Sequence, residues 1–265
     1  MLAGSGSVTG GEMRWDLPCR VYAVADHQVD VFRTAPGWSA ASIARLKAIL
    51  SPDEQRRADR FYHEIDFRRH VVGRGLLRLL LGQCVGVAPD RLCFQDGQFG
   101  KPALAGEVSP RLQFNLSHSG DLIVIAIAPG HAVGVDVEKI RPDIALDRIA
   151  QDFFSPQECA SLATLDGPSQ LDGFYACWTR KEAWIKARGE GLSLPLRQFD
   201  VSVAPDRPAQ LLGTRPDPAE AGRWTLSDLD VGSGYRAALA VNGSGWRLKT
   251  WQWPAGFSLC GSSVA

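Results

Sequence analysis

Two short charged segments of this chain place carboxylates and lysines where a strand and a helix would usually carry apolar side chains. The first is Gly-Val-Asp-Val-Glu at 134–138, and the second is the nine residues 178–186. Together they supply three carboxylates and two lysines. Carboxylate oxygens are the preferred ligands of hard divalent cations, and ammonium groups bind phosphate oxygens. The two segments therefore indicate chemistry on a phosphate group that is assisted by a metal ion.

The first segment has the composition of a β-strand. Side chains two residues apart share one face of a strand, so Asp136 and Glu138 should point one way and Val133, Val135 and Val137 the other. Two adjacent carboxylates repel each other unless a cation lies between them. A strand with one solvated face would explain the pair, and a site for Mg²⁺ or Mn²⁺ is the functional interpretation.

The second segment lies on a helix predicted over 170–188. The apolar residues of this helix form a narrow stripe, with Lys181 in its middle and Glu182 at its edge. Glu182 and Lys186 could be an exposed pair that stabilises the helix by about 0.2–0.5 kcal/mol. That explanation fails for Lys181, since a lysine seldom lies on a buried stripe without a partner. We therefore predict that this helix borders a polar cavity.

A polar segment precedes the strand with the carboxylates. Residues 122–128 and 132–138 are predicted to form a hairpin around a Pro-Gly turn. His118 and Ser119 would then lie just beyond the carboxylate end of the second strand. Hydroxyl groups and a histidine there could bind phosphate oxygens, although a solvated loop histidine is the ordinary alternative. Since no GxSxG motif occurs, a hydrolase triad is not expected.

Basic residues are concentrated in the first half of the chain. Arg57 follows a predicted helix start at Ser51, Arg69 lies on a helix predicted over 66–84, and Lys101 stands in Gly-Lys-Pro. In an ordinary globular protein most of these side chains would be solvated. Because neither a Walker loop nor a GxGxxG motif is present, any phosphate would have to be held by side chains.

Two helix starts share one signature. Ser-Pro-x-Glu occurs at 51–54 and again at 155–158, and each combines a capping box with proline in the first helical turn. A longer helix and then strands follow each of them. The repetition suggests an internal duplication, with the boundary between the halves near 130–132.

Composition narrows the classes of protein to which this chain could belong. Lys plus Arg and Asp plus Glu both total 29, so no overall field attracts the chain to nucleic acid or to a membrane. The longest apolar run, 122–128, is too short to span a bilayer. The six cysteines contain no CxxC pair, which favours reduced thiols in a cytoplasmic protein. Residues 1–12, rich in Gly and Ser, are expected to be a disordered leader.

Taken in order, these motifs resemble the 4'-phosphopantetheinyl transferases of the surfactin-synthetase-activating (Sfp) type. The matching motifs are 100–102 (Gly-Lys-Pro), 114–119 (Phe-Asn-Leu-Ser-His-Ser), 134–138, 153–158 (Phe-Phe-Ser-Pro-Gln-Glu), and 178–186 with the 189–192 stretch (Gly-Glu-Gly-Leu) that follows it. Each motif by itself is common. Five in one order are specific to the family. Fainter similarity reaches back to Ser51 and Arg69, so the match spans about 51–203.

The resemblance implies an α+β fold of two similar α/β halves related by a pseudo-twofold axis, each with a small antiparallel sheet packed on helices. The halves would be 13–131, on the 3'-phosphate side of coenzyme A, and 132–265, which carries the metal and catalytic residues. The implied enzyme moves the phosphopantetheine arm of coenzyme A to a serine of an apo acyl or peptidyl carrier protein. It would need Mg²⁺, release adenosine 3',5'-bisphosphate, and work as a monomer.

The resemblance also implies roles for individual residues. The metal would be held by Asp136, Glu138 and Glu182. Catalysis would involve Glu182, as the base for the incoming serine directly or through a water, together with Lys186 and His118. Coenzyme A would be contacted by Arg57, Arg69, Lys101, Ser117, His118, Ser119 and Lys186. Glu54 departs from the pattern, because relatives often have a basic residue there for the 3'-phosphate.

Two other classes of protein could use the same features. A magnesium-dependent phosphodiesterase or nuclease would release a hydrolysed product without a protein acceptor. No basic surface with stacked aromatic residues stands out, which argues against a nuclease. A coenzyme-A-binding regulator, or an inactive relative of the transferases, would bind coenzyme A without a metal and modify no carrier.

Overall fold

The structure, a computed structural model, describes residues 13–18, 22–106, 111–191 and 194–255. The predicted leader, 1–12, lies outside the described residues. Within these ranges the helices are α1 (Ala40–Ala48), α2 (Pro52–Ala58), α3 (Glu64–Val85), α4 (Leu146–Phe153), α5 (Pro156–Ala163) and α6 (Gly167–Arg188). The strands are β1 (Gln28–Thr34), β2 (Phe94–Asp96), β3 (Pro102–Leu104), β4 (Leu112–Ser119), β5 (Leu122–Pro129), β6 (Val133–Lys139), β7 (Phe199–Val201), β8 (Leu211–Thr214), β9 (Trp224–Asp228), β10 (Tyr235–Asn242) and β11 (Arg247–Gln252).

The strands form two main sheets, which confirms the predicted α+β class. The first sheet has the order β11-β1-β5-β4, and the second has the order β6-β10-β9. All the pairs in both sheets are antiparallel except β1 with β11. The last strand in the described ranges, β11, therefore joins the sheet of the first half. None of the helices in the described ranges is long and apolar enough to cross a bilayer.

Both predicted capping boxes are present. The Ser51 hydroxyl accepts from the Glu54 N–H while the Glu54 carboxylate accepts from the Ser51 N–H, and Ser155 and Glu158 do the same. Each short capped helix precedes a helix of 22 residues that ends at a glycine in the left-handed conformation, Gly86 or Gly189. A glycine adopts that conformation without a steric penalty, so both long helices end where the sequence predicts.

The third residue of each capped helix also binds the long helix that follows. Glu54 accepts from Arg78 Nε at 2.6 Å, and Glu158 accepts from Lys181 Nζ at 2.6 Å. Arg78 and Lys181 each lie fourteen residues after the first residue of their helix. This repeated ion pair supports the predicted duplication. It also corrects the interpretation of Lys181, whose partner is a buried glutamate and not a polar cavity.

The predicted hairpin between β5 and β6 is wrong. Strand β5 is hydrogen-bonded to β4 on one side and β1 on the other, so it has no free edge for a third strand. Strand β6 pairs with β10 in the second sheet. Leu122–Pro129 is buried through its central six residues, because it is the inner strand of a sheet covered on both faces. The chain after Pro129 therefore crosses to the other sheet.

An apolar layer lies where the two sheets face each other. It contains Val29, Val31 and Val124 from the first sheet and Leu239 and Val241 from the second. The three valines of β6 also lie in it, each fully buried, as strand alternation predicted. The opposite face of β6, which carries Asp136 and Glu138, is therefore directed toward α6.

Candidate active site

Strand β6 and helix α6 approach each other more closely at Gly134 than any other residue type allows. A Cβ atom added to Gly134 would lie 2.1 Å from the Ala183 carbonyl oxygen and 2.3 Å from the Ala187 nitrogen. Asp136 and Glu138 follow on the same face of the strand. The close approach therefore brings both carboxylates to the helix that carries the remaining charged residues of the site.

We expect Gly134→Ala to lower the free energy of unfolding by about 2–3 kcal/mol, because the added methyl group meets backbone atoms that cannot rotate away. Gly213→Ala is the matched control, since Gly213 also lies in a strand and has nothing within 4 Å of its added Cβ. Chemical denaturation of both variants measures the difference. Equal stability of the two variants would show that β6 and α6 can separate without cost.

Asp136 is the buried centre of the charged cluster, with 3% of its surface exposed. Its Oδ1 atom accepts hydrogen bonds from Lys186 Nζ at 2.5 Å and from the Ser117 hydroxyl at 2.9 Å. Its Oδ2 atom is buried without a hydrogen-bond partner among the described residues. Burying a carboxylate oxygen without a hydrogen-bond partner costs free energy, so a ligand that binds this atom would recover part of that cost.

Two further carboxylates lie beside Asp136. Glu138 Oε2 accepts a hydrogen bond from the Ser119 hydroxyl at 2.7 Å. Glu182, on α6, faces the same cluster, and its charge interacts with Asp136, Glu138 and Lys186. The predicted metal ligands are therefore brought together from one strand and one helix.

The carboxylates of this cluster are held in an environment that disfavours their charge. Burial raises the pKa of Asp136, although Lys186 and Ser117 oppose the change. Burial and the nearby Asp136 raise the pKa of Glu138. Burial and the charges of Asp136 and Glu138 also raise the pKa of Glu182. A bound cation would relieve both the burial of charge and the mutual repulsion.

His118 and Arg69 lie at the edge of the cluster. Partial desolvation of the imidazole ring, together with the positive charges of Arg69 and Lys186, lowers the pKa of His118 even though the residue remains exposed. Arg69 donates to the Gly120 carbonyl oxygen and to Asp66 Oδ1, both at 2.8 Å. Arg69 is thus held beside the turn between β4 and β5.

Lys101 reaches the same region from the first half. Its Nζ atom donates to the carbonyl oxygens of Val133 and Ala187, both at 2.9 Å. Desolvation lowers the pKa of Lys101 to about 8. The lysine therefore joins the start of β6 to the end of α6. It also lines a pocket of about 230 Å³ together with Glu182 and Lys186.

Arg57 is the predicted site residue that is not brought into this cluster. It is exposed on α2, where its charge, together with burial and Arg74, lowers the pKa of His70. Glu54, the departure from the family pattern, is held by Arg74 and Arg78 through bonds of 2.6 Å. Its carboxylate serves the folding of the first half and is not open to a ligand.

Comparison with known proteins shows the family of the chain. A family model described as "4'-phosphopantetheinyl transferase, N-terminal" matches residues 37–130, and one described as "4'-phosphopantetheinyl transferase superfamily" matches residues 132–240. The 4'-phosphopantetheinyl transferase HetI of Nostoc sp. is 35% identical over 227 residues, which cover 85% of this chain and 92% of HetI. The chain belongs to the 4'-phosphopantetheinyl transferase family.

The Sfp transferases are among its relatives, as the sequence motifs predicted. The 4'-phosphopantetheinyl transferase Sfp of Bacillus subtilis is 36% identical over 197 residues, covering 74% of this chain and 84% of Sfp. A second 4'-phosphopantetheinyl transferase of Bacillus subtilis is 38% identical over 168 residues, covering 63% and 73%. The two family-model matches adjoin at 130 and 132, where the chain passes from the first sheet to the second.

The structure of this transferase also shows two residues of the site to which the sequence patterns assigned no role. Asn115 accepts a hydrogen bond from the Val135 N–H at 2.9 Å and lines the pocket with Lys101. Phe99 lines the same pocket and is 45% exposed. The signal for Asn115 was its place in Phe-Asn-Leu-Ser-His-Ser, two residues before Ser117. Phe99 carried no comparable signal.

The side chains of the charged cluster are chemically suited to binding a hard cation. All the candidate ligands are carboxylate oxygens, and the unpartnered Oδ2 of Asp136 lies among them. Across the described ranges, no group of three or more His, Cys, Asp or Glu side chains is arranged as a ready metal site. Lys186 binds Oδ1 of Asp136 and Ser119 binds Oε2 of Glu138, so a cation would be held through the other oxygen of each carboxylate.

Proposed function

We propose that this transferase moves the 4'-phosphopantetheine arm of coenzyme A to a serine of an apo acyl or peptidyl carrier protein. The reaction would depend on Mg²⁺ and release adenosine 3',5'-bisphosphate. The observation that carries the proposal is the buried, unpartnered Oδ2 of Asp136, in a cluster where the charges of Asp136, Glu138, Glu182 and Lys186 act on one another. The family membership supplies the reaction class.

Asp136, Glu138 and Glu182 are the proposed ligands of Mg²⁺, with Mn²⁺ as a possible replacement. When bound, the metal would neutralise charge on the pyrophosphate of coenzyme A, which is the main requirement of phosphoryl transfer. The raised pKa values of all three groups support this assignment, because burial disfavours each charge more than the neighbouring cations favour it. Lys186 compensates Asp136 alone by a direct bond.

Positive groups around the cluster are the proposed contacts for the phosphates of coenzyme A. Lys186 is adjacent to the carboxylates, and Lys101 lines the pocket beside them. His118 and Arg69 lie at the edge, while Arg57 would need to act from α2 at the far end of the ligand. Ser117 and Ser119 are the remaining predicted contacts, although both hydroxyls now bind carboxylates.

Glu182 is the proposed base. In the transfer, the hydroxyl oxygen of the carrier serine forms a bond to the β-phosphorus of coenzyme A, and the bond from that phosphorus to the bridging oxygen breaks. The hydroxyl proton passes to Glu182 directly or through a water, and the adenosine bisphosphate leaves with the bridging oxygen. A raised pKa makes a carboxylate a stronger base near neutral pH, where such a group contributes about 10²–10⁴-fold in rate.

One chain supplies every residue of the cluster, which supports action as a monomer. The thiols of Cys84, Cys93, Cys159 and Cys177 are free, which supports a cytoplasmic location. Nucleic acid and membranes are not proposed as partners.

The direct test is incubation of the full chain with coenzyme A, Mg²⁺ and a panel of apo carrier proteins, followed by mass spectrometry of each carrier. We expect one phosphopantetheine group on the acceptor serine, equimolar adenosine 3',5'-bisphosphate, and no reaction when a chelator removes the metal. Hydrolysis of coenzyme A without a modified carrier would favour a phosphodiesterase instead. Coenzyme A binding without metal and without any modified carrier would favour a regulator.

A further inference from the structure

The two halves of the molecule are joined by a row of side-chain hydrogen bonds between β4 and β6. Asn115 Oδ1, Ser117 Oγ and Ser119 Oγ lie at alternate positions on one face of β4. They accept hydrogen bonds from the backbone N–H groups of Val135, Val137 and Lys139 at 2.9, 3.4 and 3.0 Å respectively. Strand β6 pairs with β10, and this row satisfies N–H groups of β6 that face β4.

The row determines where the hydroxyl proton of Ser119 points. A backbone N–H can only donate, so the Ser119 oxygen acts as an acceptor toward Lys139. The single proton of the hydroxyl is left for Glu138 Oε2, which lies 2.7 Å away and accepts when ionised. The hydroxyl is thereby oriented toward Glu138 by the backbone of the strand that carries Glu138.

Ser119 is also the hydrogen-bond donor on which the Glu138 side chain depends. Within the described ranges, the Ser119 hydroxyl is the one hydrogen-bond donor to the Glu138 carboxylate. Asp136 repels that carboxylate, and Arg236, opposite Glu138 on β10, is bound to Asp172. Ser117 differs, because its hydroxyl shares Asp136 with Lys186.

We propose that Ser119 is a positioning residue that holds Glu138 for metal binding and does not serve as a phosphate contact. The proposal rests on the proposed function, in which Glu138 is a ligand of Mg²⁺. Groups that orient a metal ligand typically change metal affinity by roughly 10–100-fold when removed. Loss of the Ser119 hydroxyl should therefore weaken the metal site without altering the affinity for coenzyme A.

The sharpest comparison is between Ser119→Thr and Ser119→Val in the full chain. Threonine and valine have the same shape, so any packing effect is common to both, and only threonine keeps the hydroxyl. The probe is Mn²⁺ alone, titrated and followed by electron paramagnetic resonance. We expect Ser119→Val to bind Mn²⁺ roughly 10–100-fold more weakly than Ser119→Thr. In the carrier-modification assay, added Mg²⁺ should restore much of the kcat of Ser119→Val, while the KM of this variant for coenzyme A stays the same.

Two controls separate this inference from the proposed function. The wild type should bind Mn²⁺, and Asp136→Ala should not. Equal Mn²⁺ affinity of Ser119→Thr and Ser119→Val, in a background where Asp136→Ala abolishes binding, would overturn the role of Ser119 alone. A raised KM for coenzyme A in Ser119→Val, with unchanged Mn²⁺ affinity, would overturn it in favour of a phosphate contact. Absence of Mn²⁺ binding by the wild type would overturn both the metal site and this inference.

Discussion

Asp136→Ala should lower the rate of carrier modification by about 10³-fold or more. Stabilisation of the transition state by a metal amounts to several kcal/mol, and each 1.4 kcal/mol corresponds to about tenfold in rate. Asp136 carries the unpartnered Oδ2 atom and holds Lys186, so its removal should affect the proposed metal site and the proposed phosphate contact of Lys186 together. The measurement is the single-turnover rate of modification of an apo carrier at saturating coenzyme A and Mg²⁺.

The matched control for this prediction is Asp53→Ala, which removes a carboxylate from an exposed position on α2. It should modify the carrier at the wild-type rate. The Asp136 variant should remain folded, because the deleted carboxylate is a group whose burial disfavours its charged form. A transfer rate within tenfold of wild type, with Mg²⁺ present, would exclude Asp136 as a metal ligand.

The same carboxylates predict how stability changes with pH in the metal-free protein. The pKa values of Asp136, Glu138 and Glu182 are raised above those of the unfolded chain, near 4. The folded state therefore retains protons that the unfolded state releases, and the free energy of unfolding should fall as pH rises from about 4 through the raised values. Urea denaturation across this range should show a smaller fall in Asp136→Ala. A wild-type stability that rises throughout the range would contradict the prediction for these groups.

Local features of the fold could be predicted because the signals lie within a few residues of the structure they determine. Ser51 and Ser155 each face their own glutamate three residues later, and the bonds close within one helical turn. Gly86 and Gly189 end the long helices for an equally local reason. Alternation in β6 separated the valines from Asp136 and Glu138, because the strand has one apolar face whichever strand it pairs with.

The partners of the strands could not be predicted in the same way. A Pro-Gly turn between two apolar runs is typical of a hairpin, but pairing depends on which edges other strands leave free. Strand β1, about ninety residues earlier, occupies the edge of β5 that β6 would have needed. β11 joins β1 from the far end of the chain. Neither contact leaves a trace in the sequence near Pro129.

The site was predictable to the extent that its residues share short motifs. Spacing indicated the carboxylates on β6 and α6. Ser117 and Ser119 were expected as phosphate contacts, and their bonds to Asp136 and Glu138 were not predicted, because both serines lie on β4 and meet β6 only where the two halves contact each other. Lys101 is a similar case. Its bonds to Val133 and Ala187 depend on how the first half meets α6. Contacts between the two halves are determined by the tertiary fold and not by any local pattern.

Replacement of Lys181 should cause a large loss of stability. Its Nζ atom donates to both carboxylate oxygens of Glu158 at 2.6 Å and to the Phe199 carbonyl at 2.8 Å, and only 1% of either charged side chain is exposed. Glu158 in turn accepts from the Val201 N–H. Lys181→Met would leave a buried carboxylate without its cation, which typically costs about 3–5 kcal/mol.

The control for Lys181→Met is Lys47→Met, which breaks the exposed ion pair of Lys47 with Asp59 and should cost less than about 1 kcal/mol. Chemical denaturation of both variants gives the two losses. Glu158→Gln combined with Lys181→Met should recover part of the stability, because the amide can still accept one of the backbone hydrogen bonds. Similar losses for the two lysines would mean that water reaches Glu158, and the ion pair would then not be the element that holds α5 against α6.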